Sequence, residues 1–230
     1  MFYLTFIILI PGLLLAAYAQ YQVSSAYKTY SNVPTKTGIT GAGAARAILN
    51  TNDLKTVGIE EIGGNLTDHY DPRKKVMRLS QGVSQKASIA AVGIAAHETG
   101  HALQDKDGYW PLRARNIIVP LAGFGSNLAW PLFFIGFFFA QAGSAFGVTF
   151  MNLGILLFSI AFVFTIITLP VEFNASSRAV KTLIDNQIIQ PGEEVGVKKV
   201  LRAAALTYVA AALMAFLNLL RLVLLRGSRN

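Results

Sequence analysis

Residues 87–103 read ASIAAVGIAAHETGHAL, an alanine-rich run that predicts one helix, with Ser84 as its expected N-cap. Inside it, His97-Glu98-Thr99-Gly100-His101 spells H-E-x-x-H. Positions i and i+4 share one face of a helix, so both imidazoles can point at a single ion with Glu98 beside it. A Zn²⁺ held this way lowers the pKa of its bound water to about 7, and an adjacent carboxylate can accept the proton. The chemistry this pattern favours is hydrolysis of an amide bond. The chain has three histidines, so His69 is the only one not committed to this spacing.

The surrounding composition is not that of a soluble domain. Of 230 residues, 53% are hydrophobic and 14% charged, and the apolar residues come in blocks. Four blocks run from Phe2 to Ala19, Ile117 to Ala140, Val148 to Leu169 and Ala203 to Leu225, each near the roughly 20 residues that cross a bilayer core. Ala17-Tyr18-Ala19 resembles a signal-peptidase site, but no basic n-region precedes the first block, which favours an uncleaved anchor. Arg221 stands close enough to the end of the fourth block to reach the interface. The net charge of +8 does not indicate a nucleic-acid partner, because the cations flank apolar blocks rather than gathering on one face with aromatics. Cysteine is absent, which leaves no disulfide framework.

The expected order is a first span (1–19), a catalytic segment with the H-E-x-x-H helix (20–116), a second and third span (117–170), a helical segment carrying a further ligand (171–202), and a fourth span with a basic tail (203–230). With four spans, the two polar segments share a side. They contribute Lys28, Lys106, Arg113, Arg115, Arg178, Lys181, Lys198, Lys199 and Arg202 near span ends, against Arg221, Arg226 and Arg229 opposite. The bias places the motif on the cytosolic side of a multi-pass plasma-membrane protein.

Segment 20–116 reads as a small α+β unit. Thr40 is a plausible N-cap for a short helix ending near Asn50. Val57 to Ile62, Leu66 to Tyr70 and Val76 to Leu79 read as strands, with turns at Gly63-Gly64 and Asp71-Pro72-Arg73. An edge strand beside a metal-binding helix can pair with an extended substrate, and Val76, Met77, Arg78 and Leu79 are the candidate.

A catalytic zinc takes three protein ligands and a water. Asp105, four residues after His101, is either a ligand, a partner for an imidazole or part of a solvated helix end. Glu172 follows Pro170, and proline suits a first helical turn. Glu172 then opens a new helix, either as a ligand or as a surface glutamate favoured by the macrodipole.

The joint occurrence of an apolar first span, HYDPRKKVMRLS (His69 to Ser80), HETGH and LPVEFNAS (Leu169 to Ser176) resembles the small bacterial membrane zinc metallopeptidases of the YugP type. HETGH with a downstream E-F-N-A-S-S-R-A is similar to the gluzincin pattern. The resemblance implies Glu172 as third ligand beside His97 and His101, and one zinc per chain. Related membrane gluzincins carry an aspartate four residues after the ligand glutamate. This chain has Ser176 there, which can hydrogen-bond an imidazole without forming a carboxylate–histidine pair.

The expected architecture is an α-helical membrane protein of about four transmembrane helices, with a small zincin-like α+β catalytic unit between the first and second spans. The expected function is a membrane-anchored zinc endopeptidase acting on membrane or membrane-proximal polypeptides, with Glu98 as general base. His69, Arg178 and Tyr208 are candidate oxyanion donors, among which the sequence does not choose. A site-2 type intramembrane protease would need the motif within a span and an aspartate in a later one, and the later blocks contain none. The alternative is a zinc-binding scaffold within a membrane complex. The expected partners are the lipid bilayer, a polypeptide substrate, and other membrane proteins or further copies of the chain.

Overall fold

The computed structural model describes residues 4–227; Phe2, where the first block begins, and Arg229, in the charge comparison, lie outside the described residues. In chain order the elements are α1 (Leu4–Ile7), α2 (Ile10–Tyr30), α3 (Gly41–Thr51), β1 (Gly58–Ile62), β2 (His69–Asp71), β3 (Val76–Ser80), α4 (Gln81–Ser84), α5 (Ile89–Lys106), α6 (Trp110–Gln141), α7 (Ala145–Asp185) and α8 (Glu193–Gly227). Four helical stretches are long and apolar enough to cross a membrane: Thr5–Tyr30, Trp110–Gln141, Ala145–Asp185 and Glu193–Gly227. They contain the second, third and fourth apolar blocks and the first from Thr5 onward, and the small sheet lies between the first and second of them in the chain. The chain divides into two compact units. One comprises Met1–Tyr18, Trp110–Pro170 and Thr207–Asn230; the other comprises Ala19–Tyr109 and Val171–Leu206.

The first unit is apolar and helical. Its buried cluster joins Ala129 and Phe133 of α6, Met151 and Phe158 of α7, and Leu222 and Leu225 of α8. Arg221, expected to reach the interface, is instead 4% exposed. Its Nε donates to Thr5 Oγ1 at 3.2 Å, and its guanidinium lies 3.8 Å from the Phe6 ring centroid. An aromatic face and a hydroxyl give the cation partners that hydrocarbon cannot.

The second unit is built around α5. Thr40 caps α3 as expected, its hydroxyl accepting from the Gly43 amide at 3.1 Å. Ala44 and Ile48 of α3 pack with Ile89, Val92, Ala96 and Leu103 of α5 and with Leu183, Val197 and Leu201 from α7 and α8. Ala45 and Leu49 join Ala95 and Ala102 in a second cluster with Met77, Leu79 and Val83. α5 is therefore covered on more than one side, and its alanines and glycines let the surrounding elements approach closely. Each fully buried leucine or isoleucine here contributes roughly 1.5–3 kcal/mol.

The sheet has the order β1-β3-β2. β1 runs parallel to β3 from Gly58↔Val76 to Ile62↔Ser80, and β2 antiparallel to it from His69↔Arg78 to Asp71↔Val76. Met77 and Leu79 are fully buried, while the alternate Arg78 bridges Glu60 and Asp71, both at 3.1 Å. Val76 to Leu79 is thus the central strand and not the substrate-accepting edge. β1 occupies one side of it throughout and β2 the other over Val76 to Arg78, so along Val76 to Arg78 its ladder offers no free edge to an extended peptide.

Boundaries also differ from the sequence expectation: β2 covers His69–Asp71 rather than Leu66 to Tyr70, because Leu66 sits at a φ of 56°, outside the extended region. Ser84 ends the one-turn α4, and the cap of α5 is Ser88, whose Oγ accepts from the Ala91 amide at 3.3 Å. The start of α5 is set by distant chain: Ile89 N donates to Val33 O and Thr35 N to Ala87 O. Pro170 does not open a helix either, because α7 continues through it. Its missing N–H removes one helical bond, a loss that long apolar helices accommodate.

Candidate metal centre

His97 and His101 stand one turn apart on α5, with ring centroids 4.8 Å apart and planes at 85°. Glu172 comes to them from α7. Its Oε2 lies 3.1 Å from His97 Nε2 and 3.6 Å from His101 Nε2. Donor atoms of the three residues lie within 4.8 Å of one another. Glu172 is 2% exposed and within a helix, so neither a surface position nor a helix N-terminus accounts for it.

The outer nitrogens of both imidazoles have partners. His97 Nδ1 is 3.1 Å from Ser176 Oγ, and His101 Nδ1 is 3.0 Å from Gln104 Oε1. The Gln104 amide nitrogen donates to Val171 O at 2.8 Å and to Asn174 Oδ1 at 3.0 Å, which orients its oxygen toward the ring. An amide oxygen only accepts, so this contact calls for a proton on His101 Nδ1, and Nε2 is the nitrogen that faces Glu172.

This donor set fits zinc. Tetrahedral coordination with zinc–ligand bonds of about 2.0–2.1 Å separates ligand atoms by about 3.3 Å, and the two carboxylate–imidazole distances bracket that value. No fourth His, Cys, Asp or Glu joins the group among the described residues.

Glu98 is 9% exposed, and its Oε2 accepts from the Tyr70 amide of β2 at 3.1 Å. Burial pushes its carboxyl up to about 7; the Glu172 and Asp68 charges add to this, while His97 and the Tyr70 amide oppose it. Asp68 is likewise raised by burial, partly offset by bonds from the Ser80 amide (2.7 Å) and hydroxyl. The buried Glu98 and the half-buried Asp68 therefore lie in one electrostatic neighbourhood, which His97 and Glu172 share with Glu98.

The other candidates are placed elsewhere or bound to other partners. Asp105 accepts from Tyr70 Oη at 2.9 Å and pairs with Lys75 at 2.5 Å, and is not in the metal group. His69 is exposed, with Nδ1 2.9 Å from Thr67 O, a turn contact. Arg178 donates to Asn174 Oδ1 at 2.8 Å and pairs with Asp107, so it braces the Gln104–Asn174 contact from behind. Tyr208 belongs to the other unit. Gln104 was not singled out in the sequence; its position three residues after His101, on the same helix face, was the available signal.

The family described as "Putative neutral zinc metallopeptidase" matches residues 5–227. The chain belongs to that family. It is also 48% identical over 217 residues to a Bacillus subtilis (strain 168) protein named "Putative membrane protease YugP", covering 94% of this chain and 93% of that one. No solved structure gives a significant match.

Proposed function

We propose that the chain is a membrane-anchored zinc endopeptidase in which His97, His101 and Glu172 hold the metal and Glu98 is the general base. The observation that carries this reading is the three-membered donor group with no fourth protein ligand among the described residues. A structural zinc is normally closed by four protein ligands, whereas a catalytic one keeps a position open. Bound there, zinc would acidify a water and polarise the scissile carbonyl.

The protein's own groups do the rest. Gln104 and Ser176 hold the imidazoles by Nδ1 and aim Nε2 inward. The Tyr70 amide holds one oxygen of Glu98, leaving Oε1 to take a proton from the attacking water and return it to the departing amine nitrogen. With β3 enclosed, β2 is the sheet edge that contacts Glu98, and it replaces Val76 to Leu79 as the strand an extended substrate would meet.

The substrates are membrane or membrane-proximal polypeptides, because a tethered enzyme meets them at high effective concentration. The lysine and arginine distribution supports a cytosolic active site in the plasma membrane. The test is Glu98→Gln in the full-length protein. Zinc retained with proteolysis reduced about 10²-fold or more is the expected outcome. Unchanged activity would return the chain to the scaffold reading.

A further inference from the structure

Away from the metal centre, the second unit contains a cleft with a polar and cationic lining. A cleft of about 570 Å³ lies between α2 and α8, lined by Gln22, Ser25, Thr29 and Tyr30 from one and Lys199 and Arg202 from the other. Residues 22, 25 and 29 recur at helical spacing, as do 199 and 202, so each set shares a face. No aspartate or glutamate lines the cleft. Neither Lys199 nor Arg202 has an ion pair or hydrogen-bond partner among the described residues. Tyr30 also seats on Gly196, where a β-carbon would lie 2.8 Å from its Cε1, so the two helices meet closely beside the cleft.

Its position along the chain is informative. Ala19 ends the first apolar block three residues before Gln22, and Ala203 begins the last one directly after Arg202. The cleft falls at the polar ends of two apolar runs, the level at which headgroup phosphates and interfacial tyrosines lie. We propose that it binds a phosphate-bearing anion, and that the headgroup of an anionic phospholipid is its occupant. Arg202 can engage phosphate oxygens with two parallel N–H donors, Lys199 adds a point charge, and the Ser25 and Thr29 hydroxyls complete a directional cradle. A net cationic cleft without a carboxylate favours an anionic headgroup over a zwitterionic one. The assignment is independent of the metal centre.

Native mass spectrometry of the full-length protein in detergent tests it, using phosphatidylglycerol, phosphatidylcholine and inorganic phosphate as probes. One phosphatidylglycerol per chain is expected in preference to phosphatidylcholine. The double variant Lys199→Gln/Arg202→Gln should bind it about 30-fold more weakly. The control Lys181→Gln/Lys198→Gln loses the same charge outside the cleft and should bind as wild type, and matched melting temperatures show that both variants fold. Inorganic phosphate that displaces the lipid and shows the same dependence on Lys199 and Arg202 would uphold the phosphate site and make its source soluble. Equal weakening in both variants, or no preference over phosphatidylcholine, would overturn the proposal.

Discussion

A β-carbon on Gly100 would collide with the carbonyl oxygen of Ala175 and lie 3.1 Å from its Cα. α5 and α7 therefore touch backbone to backbone beside the residues that bring His97, His101 and Glu172 together. Gly100→Ala has to push the helices apart. Overpacking of this kind costs typically 1–3 kcal/mol, and here the displacement also moves Glu172. A lower melting temperature together with reduced zinc content is expected, the first read by thermal unfolding and the second by elemental analysis.

Zinc retention should depend on a residue more than 70 positions from the histidine pair. About one zinc per chain is expected in the purified protein, with a marked loss in Glu172→Ala. Asp105→Ala should leave the zinc in place, because Asp105 is committed to Tyr70 and Lys75. The opposite ranking would transfer the third ligand to Asp105.

Gln104 is the residue whose contribution is easiest to isolate. Removal of a group that orients a metal-bound histidine typically weakens metal affinity 10- to 100-fold. Gln104→Ala should show a loss of roughly that size in a chelator competition, and ¹⁵N resonances of the metal-free protein should report loss of the fixed His101 tautomer. Ser176→Ala should weaken binding through His97 in the same way. Affinity unchanged in both variants would mean that the Nδ1 contacts do not orient the rings.

The metal-free protein should lose stability as pH rises from about 4.5 to about 7. The Glu98 carboxyl stands near 7 in the fold against 4.5 unperturbed, so the folded state binds more protons in that window. Its stabilising effect is complete below the lower value and gone above the upper one. The change is on the order of 3 kcal/mol. Denaturant unfolding at both ends of the range should show it in wild type and much less in Glu98→Gln. Saturating zinc should flatten it, since a nearby cation favours the carboxylate.

Local patterns announced the H-E-x-x-H helix, the four apolar blocks and the Thr40 cap, because spacing, block length and capping chemistry are all short-range. Features decided by distant chain were not readable in this way. The order that puts β3 at the centre of the sheet depends on β1 pairing past β2, which alternation of apolar residues cannot reveal. Ser88 rather than Ser84 caps α5 because Val33 and Thr35 bond to the residues beside Ser88. Pro170 looked like a helix start in a one-dimensional pattern but is one missing bond within α7. Gln104 escaped notice because a glutamine one turn from a histidine becomes informative only when Val171 and Asn174 arrive to orient its amide.

The bond from the Tyr70 amide to Glu98 makes two quantities inseparable. An ionised carboxylate accepts that bond more strongly than a neutral one, so protonation of Glu98 weakens the hold of β2 on α5. By reciprocity, whatever lifts β2 away raises the affinity of Glu98 for a proton by the same factor. A peptide that pulls on the edge strand would therefore tune the basicity of the carboxylate beside it. The sheet edge is part of the titration of Glu98, and not only its scaffold.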